Sequence, residues 1–128
     1  MSEYTYVIPG NPIPLKRPRF AKGHVYDPQE DEKSGTWMII RQQQKGPMLL
    51  GPVHLKITFF MNQPQRHKGK LWHRTKPDLS NLVKFYEDVC TGILYYDDKQ
   101  VVKITAEKMY DENPRTVLTV ILLKESND

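Results

Sequence analysis

Two hydrophobic rhythms run along the chain. Val53, Leu55, Ile57, Phe59 and Met61 recur at every second position, with His54, Lys56, Thr58 and Phe60 between them. That period predicts a half-buried strand. The same alternation marks Tyr4 to Ile8, Gln100 to Tyr110 and Thr116 to Lys124, and His24 to Tyr26 is a shorter extended stretch. Asp111 to Pro114 has turn composition, so the last two long strands are expected to form a hairpin. The other rhythm is helical. From about Pro28 to Lys45, Trp37, Met38 and Ile40 are expected to face the core, with Asp27 as N-cap and Gly35 a weak point. Glu30, Asp31 and Glu32 then suit the positive end of the helix dipole, and Gly46-Pro47 ends the helix. A second helix follows Pro77, with Leu79, Leu82, Val83, Tyr86, Val89 and Cys90 on its apolar side and Gly92 at its end. Asp78, Asn81, Lys84 and Asp88 form a polar stripe opposite. The order of elements predicts an α+β fold, a small mixed β-sheet packed with two main helices. A chain of 128 residues suits a single domain over 1–128.

Two segments break the periodicity. Ile13 to Phe20 carries two prolines and is expected to run extended and stiff, holding Lys16, Arg17 and Arg19 outward. Asn62 to Lys76 is a long polar loop with Arg66, Lys68, Lys70, Arg74 and Lys76, two histidines and Trp72. Loops of that length are usually functional. Trp72 either anchors the loop on the core or stacks on bases. His67 and His73 lack the cysteines or helical histidine pair that zinc sites use.

Charge sharpens the picture. The net charge is +4, but no Asp or Glu occurs from Lys33 to Pro77, where nine Lys or Arg stand. Ten of the fifteen acids lie at or after Asp78. A polyanion held by the middle of the chain, with carboxylates presented beside it, accounts for this asymmetry, and a solvated basic surface is the plainer alternative. One cysteine excludes a disulfide framework and suits a reducing, cytoplasmic setting. No apolar run is long enough for a membrane span, and Met-Ser-Glu-Tyr does not open like a signal peptide.

The candidate chemistry lies at Asp78 and at Asp97-Asp98. Cutting a phosphodiester requires a water nucleophile, in-line geometry and neutralised charge, which carboxylate-held Mg²⁺ supplies. Mg²⁺ commonly uses one or two protein carboxylates, completed by waters and phosphate. Asp78, Asp97 and Asp98 are candidate ligands expected to converge. Lys84 is placed to stabilise the phosphate, and Asp88 can pair with it at i,i+4. Alternatively Asp78 is a helix cap shared with Ser80, and Asp97-Asp98 a tight turn.

Lys76-Pro-Asp78-Leu-Ser80-Asn81-Leu-Val-Lys84, then Asp88, then Asp97-Asp98-Lys-Gln-Val101, resembles the signature of the RusA family of Holliday junction resolvases. Gly10-Asn-Pro12 and Lys16-Arg17-Pro18-Arg19 are similar to that family's basic opening. The resemblance covers nearly the whole chain. It implies a homodimeric, Mg²⁺-dependent endonuclease (Mn²⁺ a possible substitute), often prophage-borne, that nicks a four-way DNA junction symmetrically in recombination and repair. By motif, the resemblance implies that Asp78 and Asp98 are metal-binding catalytic carboxylates and Lys84 the essential basic residue, with Ser80 and the neighbouring Asp97 as candidate further metal positions. Asn81 and Asp88 are supporting residues. Lys16, Arg17, Arg19, Lys68, Lys70, Arg74 and Lys76 are the expected DNA contacts. Many family members carry Asp where this chain has Ser80. Either Asp97 or Glu87 compensates, or the hydroxyl acts through water, or the protein binds junction or duplex DNA with weak or no cleavage.

Overall fold

The structure is a computed structural model that describes residues 2–17 and 19–127; the side chains of residues 19–21 lie outside the described set. In chain order the elements are β1 (Glu3–Pro9), β2 (Arg19–Ala21), β3 (His24–Tyr26), α1 (Glu30–Gln43), β4 (Val53–Asn62), α2 (Leu79–Cys90), β5 (Val101–Asp111) and β6 (Arg115–Leu122). The main sheet has the order β1-β6-β4-β5, and β2 with β3 forms a separate small ribbon. β4 pairs with β5 in parallel and with β6 antiparallel, so the sheet is mixed. Among the described residues no helix is long and apolar enough to cross a membrane.

The expected hairpin of the last two strands does not form. β4 lies between them, and the Asp111–Pro114 turn carries the chain across it. Burial explains the order. β6 alternates fully buried with half-buried side chains, as an interior strand does. β5 exposes Val102, Lys103, Ile104 and Thr105 in succession, so it takes an edge. Parallel pairing of β4 and β5 needs a long crossover, and the basic loop with α2 provides it.

The core lies between one face of this sheet and the two helices. Leu55, Ile57 and Phe59 of β4 and Leu118 and Val120 of β6 meet Leu82, Phe85, Tyr86 and Val89 of α2 and Ile40 of α1. Phe59 and Tyr86 pack ring against ring at 5.6 Å. Phe85, absent from the expected apolar face of α2, is fully buried. α1 departs further from expectation. It starts at Glu30 with Gln29 as N-cap, and it runs unbroken through Gly35. Asp27 instead accepts from the Gln29 N–H at 2.9 Å and pairs with Lys33 at 2.6 Å. Trp37 and Met38 are 41% and 57% exposed, whereas Ile40 is buried. α1 meets the core along a narrow stripe because α2 covers most of the sheet face.

Side-chain amides close the remaining edges. Gln43 donates to the Val7 carbonyl at 2.7 Å and accepts from its N–H at 2.9 Å, sealing the outer edge of β1. The loop before α2 seals half of β5: the Tyr110 N–H donates to Leu71 O at 2.9 Å, and the His73 N–H to Lys108 O at 3.4 Å.

Candidate active site

α2 organises the site. Pro77 precedes it in a cis peptide with Lys76, and Asp78 occupies its N-cap with extended backbone. The Asp78 carboxylate makes no capping hydrogen bond, although the Asp78 carbonyl accepts from Leu82 N at 3.2 Å. Its side-chain oxygens are therefore not consumed by the helix. Asp97 behaves in the opposite way. It caps the single 3₁₀ turn Asp98–Gln100, accepting from Lys99 N at 2.9 Å. That bond, then a hydrogen bond with the Asp98 carboxyl, holds Asp97 below the usual carboxylate range.

The Asp97-Asp98 turn is tightly held. Gln100 Oε1 accepts from the N–H groups of Tyr96 (2.7 Å) and Asp97 (3.0 Å), and its Nε2 donates to the carbonyls of Leu49 (2.8 Å) and Gly51 (3.1 Å). Tyr95, fully buried, donates its hydroxyl to Glu87 O at 2.8 Å. This fastens the turn to the second half of α2.

The carboxylates mark two stations along α2. Asp78 stands at its N-terminus. Asp98 acts electrostatically on Glu87 and Asp88, nine and ten residues beyond Asp78 in the chain. The expected single cage is not formed: among the described residues no three Asp, Glu, His or Cys side chains gather closely enough to hold a metal by themselves. Ten residues, 91–100, join the end of α2 at Cys90 to the start of β5 at Val101, and Asp97-Asp98 lies within them.

Ser80, Lys84 and Glu87 share a side of α2 between the stations, by helical spacing. Glu87 is raised above its usual range by burial first, then by Asp98 and Asp88, with Lys84 opposing. Asp88 does not pair with Lys84 as expected. Burial raises it first, and its charged neighbours are Lys33, Asp98 and Asp27. Position 88 is rotated towards α1, where it lines a groove with Lys33 and Trp37. Among the described residues the ion pairs are Lys33–Asp27 and Arg115–Asp111, so no pair neutralises Asp78, Asp97 or Asp98. An all-oxygen donor set that no ion pair neutralises fits a hard divalent ion completed by phosphate and water rather than a closed protein cage.

Two basic segments lead to the first turn of α2. Leu15 N donates to Asn81 O at 2.9 Å, which lays the N-terminal segment against the first turn of α2. Gln29, fully buried, accepts from Lys16 N at 2.6 Å and donates to Pro14 O at 2.8 Å. Lys16 and Arg17, which follow Leu15, are exposed, while the Arg19 side chain lies outside the described residues. A groove of about 300 Å³ is lined by Pro14, Leu15, Lys76, Pro77, Asp78 and Asn81. A second, of about 440 Å³, lies across Lys76-Pro77 and reaches Asn11, Asn62 and His73. Lys68, Lys70 and Arg74 are exposed along the loop. Trp72 is 56% exposed, so it does not anchor the core. His67 and His73 pack on either side of Tyr110, with ring centroids at 5.3 and 5.0 Å.

Three positioning residues were not legible beforehand: Gln29, Tyr95 and Gln100. Each acts through contacts with residues distant in sequence or on main-chain atoms, which leave no periodic trace.

The family model described as endodeoxyribonuclease RusA matches residues 9–121. A protein of Bacillus subtilis (strain 168), described as uncharacterized protein YqaN, is 28% identical over 132 residues, covering 90% of this chain and 93% of its own. A protein of Lactococcus phage r1t, described as a crossover junction endodeoxyribonuclease, is 37% identical over 70 residues, covering 54% of this chain and 53% of its own.

Proposed function

The chain belongs to the RusA endodeoxyribonuclease family, and we propose that it is a metal-dependent nuclease that resolves four-way DNA junctions. The single observation that carries this reading is the Asp78 carboxylate, standing at a helix N-cap without capping it and, among the described residues, without an ion pair. A structural aspartate there would bond the first-turn amides. Asp78 is left available on the rim of a groove lined by Lys76.

Asp78 with Ser80 at one station, and Asp98 with Asp97 at the other, would hold divalent cation, Mg²⁺ or Mn²⁺. When bound, that cation supplies an activated water and neutralises charge on the phosphate. The chain's own residues do the rest. Lys84, between the stations, meets the scissile phosphate and stabilises the charge that builds on it. Glu87, on the same side of α2 as Ser80 and within the field of Asp98 and Lys84, adds negative charge to that side of the helix. Asn81 fixes the N-terminal segment through its carbonyl, and Lys16, Arg17, Arg19, Lys68, Lys70, Arg74 and Lys76 contact DNA phosphates. Asp88 supports the C-terminal half of α2 towards α1. Residues 1–128 act as one endonuclease domain. Symmetric cutting of two strands requires two such sites, which a homodimer with a two-fold axis provides.

The test is cleavage of a labelled four-way junction by purified protein with Mg²⁺ or Mn²⁺. Wild type is expected to nick opposed strands, and Asp78→Asn to bind the junction without cutting. Tight binding by wild type with no cleavage in either metal would replace this reading by that of a junction-binding protein.

A further inference from the structure

The segment that presents Asp78 is stitched to β5 over four alternate residues. Leu71 O accepts from Tyr110 N at 2.9 Å and His73 N donates to Lys108 O at 3.4 Å. Thr75 O and Pro77 O then both accept from Lys108 Nζ, each at 2.6 Å. The loop thus runs beside β5 as an added strand, and beyond His73 the main-chain ladder is replaced by one ammonium. Lys108 pairs across the sheet with Phe59, a residue of the helix-facing core side, so its stem leaves β5 on the face that carries α2. Burial pushes the lysine down from its ordinary range, and Asp78 acts on it in the opposite direction.

We propose that Lys108 is a positioning residue for the Asp78 station: its ammonium gathers the Thr75 and Pro77 carbonyls and so sets where the first residue of the α2 entrance stands. The inference rests on the reading of Asp78 as a reactive carboxylate. Two charge-assisted bonds to carbonyls two residues apart define a local geometry that a single contact would not. Lysine has three donors, and two are spent on the backbone. Its direct use on DNA phosphate is correspondingly reduced, unlike that of Lys68, Lys70 or Arg74, which stand exposed. Displacing a reacting group by about 1 Å costs on the order of 10²-fold in rate.

Lys108→Met and Lys108→Arg in the full chain test this. Three quantities are read: single-turnover cleavage of a four-way junction in Mg²⁺, junction Kd without divalent cation, and amide exchange over residues 76–84. Lys108→Met is expected to lose about 10²-fold in cleavage rate, to keep its Kd, and to exchange faster at the start of α2. Lys108→Arg, whose fork also reaches two carbonyls, is expected to recover most of the rate and the protection. Unchanged cleavage in Lys108→Met overturns the proposal. So does a Kd weakened in step with the rate, which would make Lys108 a phosphate contact, or lost cleavage with unaltered exchange. If wild type does not cut, the nuclease reading fails by itself, and the exchange comparison still decides whether Lys108 holds the segment.

Discussion

The hydroxyl of Tyr95 donates to the main-chain oxygen of Glu87 at 2.8 Å, joining the turn that leads into Asp97-Asp98 to the second half of α2. Thr91 Oγ1 donates to the same oxygen at 2.9 Å. The Thr91 N–H adds a third donor at 3.2 Å, so Tyr95→Phe removes one of three and leaves the carbonyl satisfied. The expected loss of stability is about 1 kcal/mol. The cleavage rate should fall while junction affinity holds, because the turn loses a tether and the proposed DNA contacts lie on other residues. Chemical denaturation and single-turnover kinetics check both; an unchanged rate would show that Gln100 alone holds the turn.

Ser80 sits in the first turn of α2, exposed, on the side that leads to Lys84 and Glu87. Ser80→Asp restores a carboxylate beside Asp78. The concentration of Mg²⁺ giving half-maximal cleavage is expected to drop about tenfold, since cation affinity follows ligand charge. Glu87→Gln should move the same midpoint upward, and the double variant should fall between the two. A midpoint indifferent to position 80 would remove that position from the metal station.

Asp27 gives a pH prediction. A hydrogen bond from Lys33 and then one from the Gln29 N–H hold its carboxyl below its ordinary value of 3.8. A carboxylate depressed in the folded state stabilises the fold above the unfolded value, and that contribution is lost as pH falls through the folded value. Asp27→Asn should thus lower Tm slightly at pH 7, by the equivalent of about 0.5 kcal/mol for a half-exposed pair. The difference should shrink below pH 3.8 and vanish in stronger acid. Thermal melts across pH measure it, and a constant offset would assign the effect to helix capping instead.

The basic surface is tested by salt. Each of Lys16, Arg17, Lys68, Lys70, Arg74 and Lys76 that contacts a phosphate should lower the slope of log K against log salt by about 0.9 when replaced by Ala. Trp72→Ala should weaken binding without changing that slope, as a stacking residue does. A residue whose replacement leaves the slope intact lies outside the interface.

What periodicity could express was legible without coordinates. Alternation located β1, β4, β5 and β6, and the apolar side of α2 was read from helical spacing because its burial is broad. The basic, acid-free middle and the Asp78 and Asp97-Asp98 motifs were visible as composition and spacing. Strand pairing was not. Adjacent strands joined by a turn usually pair, yet β4 separates β5 from β6, because β6 is apolar on both faces and competes best for the interior. Trp37 and Met38 misled for a similar reason: α1 needs only a narrow buried stripe once α2 covers the sheet.

The sequence by itself determined which groups can do chemistry. Only the tertiary structure decided how those groups are spent. Asp78 is left free of capping at its helix start while Asp97 is used in capping. Side-chain to main-chain bonds from Gln29, Gln100 and Lys108 set those positions. Such bonds join residues far apart in the chain and depend on backbone path rather than residue pattern, so they exist only once the fold has formed.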